Sequence, residues 1–285
     1  MANLKEIRGR ITSISSTMQI TSAMKMVSAA KLKKATDAIV MLRPYSEKLQ
    51  EIIENVSSTT DLEEVATYTA EREVKKVLFI VVTSNKGLAG AFNSSVIKEL
   101  NHQISNSQHE VEILSVGKKV YDAVRRSRNV YDNQSAIFDS MSFERVSNFM
   151  EQVMRDYREG RFDKVFVIYN KFINAATQEV KTEQVLPIAM AEKAGDANTD
   201  YIFEPNAKEI LDVLIPKSIK TQVYKSVLDS VASEHGARMT AMHKATDNAQ
   251  ALKNDLVIFY NKARQAAITN EILEIVGGAE ALKNS

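Results

Sequence analysis

The 285-residue chain has no cysteine, four histidines, four prolines, nine glycines and no run of 18 apolar residues. Without cysteine there is no disulfide, thiol nucleophile, iron–sulfur cluster or thiol switch. Without a long apolar run no segment is expected to span a bilayer. The histidines, His102, His109, His235 and His243, form no H-E-x-x-H and no pair at i and i+4, so a zinc site is not expected. No G-x-x-x-x-G-K-[ST] or G-x-G-x-x-G occurs either, which removes the usual phosphate cradles. Net charge is +1 and 44% of residues are apolar, enough for a packed core.

Helix breakers are scarce at both ends. No glycine lies between Gly9 and Gly87, and only Gly236 lies between Pro216 and Gly277. Positions 4, 7, 11, 14, 18, 21, 25, 28, 32, 35, 39, 42, 46, 49, 53 and 56 keep a 3,4 spacing, and twelve of the sixteen are apolar. The spacing recurs at 224, 228, 231, 235, 238, 242, 245, 249, 252, 256, 259, 263, 266, 270 and 273, again with twelve apolar members. Such a seam predicts that residues 1–58 and 206–283 form two helices of one long antiparallel coiled coil, ~80 to 90 Å in extent. Pro44 predicts a bend near Arg43 or a slightly unwound turn, and Pro216 marks the expected start of the last helix. The N-terminus has the composition of a mitochondrial presequence, but its heptad phase continues from Leu4 past residue 50, which argues that it belongs to the first arm.

Between the arms the pattern changes to α/β. The β-branched run 76–83 predicts a strand buried on both faces, followed by Gly87 and Gly90, a helix to Leu100 and a strand at 111–116. Gly117 opens another helix, and a third at 142–159 leads to a strand at 163–169 and a hairpin partner at 178–186. This alternation predicts a Rossmann-like α/β domain over 74–190.

Few residues suggest chemistry. Gly87-x-x-Gly90 is too short for a nucleotide fingerprint and reads better as a tight turn or a contact surface. Ser28-x-x-Lys31 lies mid-helix without the companion S-D-N and K-T-G elements of an acyl enzyme. Glu271 and Glu274 share a helix face with no histidine nearby. Two surfaces are more telling. Residues 5–34 carry Lys5, Arg8, Arg10, Lys25, Lys31, Lys33 and Lys34 against Glu6 alone, a local balance of +6 that calls for an acidic partner. Near the C-terminus Ile272, Leu273, Ile275 and Val276 are apolar most of the way round the helix, more than one neighbouring helix covers. Gly236, mid-helix, is expected to soften the arm at a cost of ~1 kcal/mol.

Four stretches carry a family resemblance. Residues 260–279 (YNKARQAAITNEILEIVGGA) resemble the signature of the gamma subunit of F-type ATP synthases. Residues 7–11 and 20–27 are similar to that family's first helix, 87–93 to its central loop, and 233–242 with 245–249 to its second arm. The resemblance implies a central-stalk rotor whose coiled coil turns inside a ring of alternating alpha and beta subunits. Its α/β domain would bind the epsilon subunit and stand on the membrane-embedded c-ring. The chain would bring no catalytic group, cofactor or metal, and would take no nucleic acid. It would pass torque from the proton-driven c-ring to the beta subunits, on the cytoplasmic face of a bacterial-type inner membrane, as a peripheral component. Met24, Lys25, Arg238, Arg264, Gln265, Thr269 and Glu271 match beta-contact positions, Ile272, Leu273, Ile275 and Val276 a tip in a hydrophobic sleeve, and Tyr201, Phe203 and Glu204 the c-ring foot. Gly236 departs from the family's more frequent alanine, and the cysteine-bearing insertion of plant plastid forms is missing. The competing reading is a nucleotide-dependent α/β enzyme that dimerises through its coiled coil; a nucleic-acid binder using the basic arm lacks interleaved aromatics and a recognised module.

Overall fold

A computed structural model describes residues 4–59, 66–70, 72–188, 204 and 206–283. The chain divides into two compact units, one of Met1–Val27 with Met239–Ser285 and the other of Ser28–Arg238. The elements in order are α1 (Leu4–Thr59), α2 (Ala66–Thr69), β1 (Lys76–Val82), α3 (Phe92–Asn106), β2 (Glu110–Val116), α4 (Lys118–Val124), β3 (Asn129–Asn133), α5 (Phe143–Arg158), β4 (Lys164–Phe172), β5 (Gln178–Leu186) and α6 (Ala207–Lys283).

The larger unit is built on a five-stranded sheet of order β3-β2-β1-β4-β5. The first four strands pair in parallel, and β5 returns antiparallel to β4, as the hairpin reading anticipated. Strand alternation divides β1 between two cores. Leu78, Ile80 and Val82 join α5, the last turns of α1 (Leu49, Ile53, Val56) and α6 (Leu211, Ile215, Ile219, Val223, Val227). Val77, Phe79 and Val81 face α3 and α4 through Val96, Leu100, Val120 and Val124. Burial on both faces is why the β1 sequence is a continuous apolar run. In the same unit Ala35 and Ile39 of α1 pack on Leu228 and Ala232 of α6.

Helix α1 runs on through Pro44. Pro44 and Val40 are both exposed, so the carbonyl that proline leaves unpaired lies on a solvent-facing side of the helix. Helix α6 starts at Ala207, well before Pro216, because Asn206 caps it. The Glu209 backbone N–H donates to Asn206 Oδ1 at 2.8 Å while Asn206 Nδ2 donates to Glu209 Oε1 at 2.8 Å. This reciprocal pair fixes the first turn, and Pro216 becomes an interior residue. Strand β3 was not foreseen: NVYDN is short, polar and pairs along one side only.

The smaller unit is an antiparallel helix pair. Arg8 Nη2 donates to Tyr260 Oη at 2.8 Å, the Thr21 and Thr246 hydroxyls are 2.8 Å apart, and Lys25 Nζ lies 3.4 Å from His243 Nδ1. Rising numbers on α1 thus pair with falling numbers on α6. All sixteen predicted seam positions of α1 are buried or half-buried. On α6 the predicted phase holds through Ala249 and then fails at alternate positions. Leu252 and Phe259 are each 50% exposed, and Ala266 is exposed too. The half-buried positions are instead Lys253, Leu256, Tyr260, Ala263 and Ala267. Tyr260 is drawn inward by Arg8, whose guanidinium also lies 5.6 Å from the tyrosine ring centroid.

Candidate functional site

In a doubly wound sheet a ligand sits outside the C-terminal ends of the strands, at the place where the order of connection reverses. Here that place is the loop after β1. Leu88 and Gly90 both have positive φ (63° and 57°), which makes Gly87–Gly90 a tight turn. Side chains brace it. Ser84 Oγ donates to the Lys86 carbonyl at 2.6 Å, Asn85 Nδ2 donates to the Ser135 carbonyl at 2.9 Å, and Asn85 Oδ1 accepts from the Lys118 N–H at 2.9 Å. Gly117, at the matching end of β2, has φ 117°, and a Cβ there would stand 2.1 Å from the Thr83 carbonyl oxygen.

The crevice is not left open for a nucleotide, because α6 lies across it. Arg238, only 8% exposed, donates from Nη2 to the carbonyls of Lys86 (3.1 Å) and Gly87 (3.3 Å), and its Nη1 pairs with Glu234. Ser233 Oγ donates to the Asn170 carbonyl at the end of β4, at 3.0 Å. The nucleotide-enzyme reading therefore loses its site: peptide carbonyls there are met by a guanidinium of the chain's own helix. A second cleft of about 500 Å³, lined by Ser46, Gln50, Glu183, Gln184, Thr221 and Gln222, has polar walls without a glycine cradle.

Among the described residues no cluster of His, Asp or Glu could hold a metal ion, and no helix is long and apolar enough to cross a membrane. Ser28 is a buried seam residue, unlike an accessible nucleophile. His235 is pushed down to about 4, first by burial and then by the positive charges of Arg238 and Lys31. Burial raises the Glu234 carboxyl, an effect that Arg238 opposes. These perturbed groups serve the docking of α6 and do not converge on a substrate-sized space.

What remains is surface. On α6 of the smaller unit Arg264, Gln265, Thr269 and Glu271 are all exposed. Gln265, Thr269 and Ile272 follow one stripe, and Arg264, Ile268, Glu271 and Ile275 the next, both turned away from the seam through Leu256, Tyr260 and Ala263. Ile272, Leu273, Ile275 and Val276 are exposed, and so are Val257, Ile258 and Ile268. With Leu252 and Phe259 they leave apolar surface on several sides of the helix, of a kind that marks an interaction surface. On α1 Met24 and Lys25 are half-buried, while Lys5, Arg8, Arg10, Lys31, Lys33 and Lys34 are exposed. Arg238 stands apart from this set, since its guanidinium faces its own chain. Glu204 is exposed. Tyr201 and Phe203 lie outside the described residues.

Sequence reasoning missed Ser233, Asn170 and the Lys86 carbonyl, which bind through backbone groups and carry no pattern. It missed the outward turn of Leu252 and Phe259 because both satisfy a heptad count.

A family model described as ATP synthase matches residues 3–282. The chain is 59% identical over 284 residues to the ATP synthase gamma chain of Flavobacterium johnsoniae, covering 99% of each, and 58% identical to that of Flavobacterium psychrophilum, covering 99% of this chain and all of the other. It also resembles a chain in the central stalk and c-ring structure of the Tetrahymena thermophila mitochondrial ATP synthase. There the TM-score is 0.60 and the identity 26%, over 79% of this chain and 99% of the other. A chain of the Euglena gracilis mitochondrial ATP synthase has the same fold, with a TM-score of 0.67 at 20% identity over 98% and 94%.

Proposed function

The chain belongs to the gamma-chain family of ATP synthase, the non-catalytic central-stalk rotor subunit, and on that premise we propose how its surfaces meet the rest of the complex. The helix pair of the smaller unit turns inside the ring of alpha and beta subunits. The basic face of α1 runs against acidic beta-subunit loops, with Met24 and Lys25 beside them. Arg264, Gln265, Thr269 and Glu271 meet the ring at contacts that differ between angular states; only such differences can favour one state over another. Ile272, Leu273, Ile275 and Val276 turn in an apolar sleeve. Tyr201, Phe203 and Glu204 form the foot on the c-ring, and the larger unit holds the epsilon subunit. The subunit sits peripherally at the cytoplasmic face of a bacterial inner membrane, held there through its partners.

One observation carries this reading. Leu252 and Phe259 occupy heptad positions yet are exposed, as are Val257, Ile258 and Ile268 on other sides of the helix, so α6 has more apolar surface than α1 covers. Co-purification of a tagged chain tests it. Alpha, beta and epsilon subunits with the c-ring should be retained, and a chain lacking residues 272–285 should retain the alpha and beta subunits less well. Recovery of the tagged chain alone, or equal retention after truncation, contradicts it.

A further inference from the structure

We infer that Glu234, Gly236 and Arg238 are positioning residues that lock α6 to the C-terminal edge of the sheet, so that torque entering the α/β domain reaches the shaft helix without slip. The inference rests on the rotor reading above and names where, within the larger unit, that torque crosses from domain to helix.

The lock has three neighbouring parts within six residues of α6. Ser233 Oγ donates to the Asn170 carbonyl at 3.0 Å, and Asn170 Nδ2 in turn donates to the Phe92 carbonyl at 3.1 Å. That ties the helix to the end of β4 and, through it, to the first turn of α3. Gly236 makes the second part. A Cβ at this position would lie 3.2 Å from Ala175 Cα, 3.3 Å from its carbonyl oxygen and 3.5 Å from the Phe172 ring. The helix therefore meets the β4–β5 turn almost backbone to backbone. Glycine serves close approach here. Arg238 is the third part. Its fork spans the Lys86 and Gly87 carbonyls on one side and the Glu234 carboxylate on the other.

The partner loop is braced on several sides. Ser84 and Asn85 brace it onto itself, onto Ser135 and onto the start of α4. A guanidinium held by several charge-assisted bonds has directional preference that an apolar contact lacks. Apolar packing resists separation but tolerates sliding; a fork on two successive carbonyls resists both axial shift and rotation of the helix against the loop. Glu234 is itself largely buried, so removing either partner leaves the other charge without its ion-pair partner.

The test uses the assembled ATP synthase in inverted vesicles and reads protons pumped per ATP hydrolysed. Arg238→Ala should lower that ratio by about threefold or more. Arg238→Lys, which keeps the charge but not the fork, should recover only part of it. Gly236→Ala, whose new Cβ would stand 3.2 Å from Ala175 Cα, should lower the ratio as well while leaving Arg238 in place. Where Arg238→Ala does not assemble, Arg238→Lys and Gly236→Ala carry the test, and a lowered ratio is expected in each. An unchanged ratio in assembled Arg238→Ala, or in both Arg238→Lys and Gly236→Ala, overturns the lock. So does a fall in hydrolysis with pumping in strict proportion, which would put Arg238 at a beta-subunit contact. Failure of the rotor reading looks different, because the wild-type chain would then not enter the complex at all.

Discussion

The hydroxyls of Thr21 and Thr246 meet 2.8 Å apart across the two arms of the smaller unit. Each also reaches a carbonyl of its own helix, Met18 at 3.1 Å and Met242 at 2.8 Å. A polar layer of this kind in a mostly apolar seam fixes which residues of two helices stand opposite each other. It also places Thr246 at the interface and begins the drift that turns Leu252 and Phe259 outward.

Removing one of these hydroxyls should cost about 1 kcal/mol, since its partner keeps only an intrahelical bond. Replacing both with valine should recover most of that loss, because no polar group is then stranded. Urea unfolding of Thr21→Val, Thr246→Val and the double variant measures this. Equal and additive losses would mean the two hydroxyls do not interact.

Leu252 and Phe259 separate an inward seam from an outward surface. Leu252→Gln and Phe259→Gln should change the free chain's stability by no more than about 0.5 kcal/mol while weakening its retention in the complex. Ile39→Ala, in the packed layer with Leu228, should cost about 2–5 kcal/mol. A loss above about 2 kcal/mol for either glutamine variant would return those residues to the seam.

Gly117→Ala should be among the most damaging single changes in the α/β domain. The new Cβ meets the Thr83 carbonyl oxygen at 2.1 Å, at a φ of 117° that other residues rarely adopt. We expect a loss of more than about 3 kcal/mol or failure to fold, read from thermal unfolding. Gly9→Ala has open space around it and should raise stability by a few tenths to ~1 kcal/mol.

Stability should also report on His235. Its folded value, about 4, lies below the ordinary 6.5, so between those values the unfolded chain binds a proton that the folded chain does not. Stability contributed by the neutral ring is full above pH 6.5 and is lost as pH falls toward 4. Because the side chain is only partly buried, the loss should be on the order of 1–2 kcal/mol rather than the full value of the shift. Burial raises Glu234 and Asp229, and these carboxyls change stability with the opposite sign in the acid range. The histidine's part is therefore read as the difference between wild type and His235→Gln. Parallel pH profiles for the two proteins would exclude it.

The legible part of this molecule was its inner surface. Every predicted seam position on α1 is buried or half-buried, and the β1 run announced a strand covered on both faces. The illegible part was of three kinds. Beyond Ala249, α6 is apolar on its outer side as well, so a heptad count chose Leu252 and Phe259 where the structure uses Lys253 and Tyr260. Periodicity identifies an apolar stripe without naming what covers it. Polar docking was equally hidden, since Ser233 and Arg238 bind backbone carbonyls, which have no residue signature. Strand β3 is a short polar edge with little apolar pattern to read. The Asn206–Glu209 cap, in contrast, was readable as N-x-x-E. The contacts by resemblance divide likewise: Arg264, Gln265, Thr269 and Glu271 are free to meet a partner, while Arg238 is engaged within the chain.

The central claim is that this subunit rotates within its complex. With no native cysteine, Lys98→Cys on the exposed side of α3 gives a single attachment point in this chain for a bead or a polarised fluorophore. In complexes fixed to a surface through the ring, addition of ATP should make that probe turn in one direction, through repeated steps that stop when ATP is removed. A probe that stays fixed relative to the ring while ATP is hydrolysed would contradict the account.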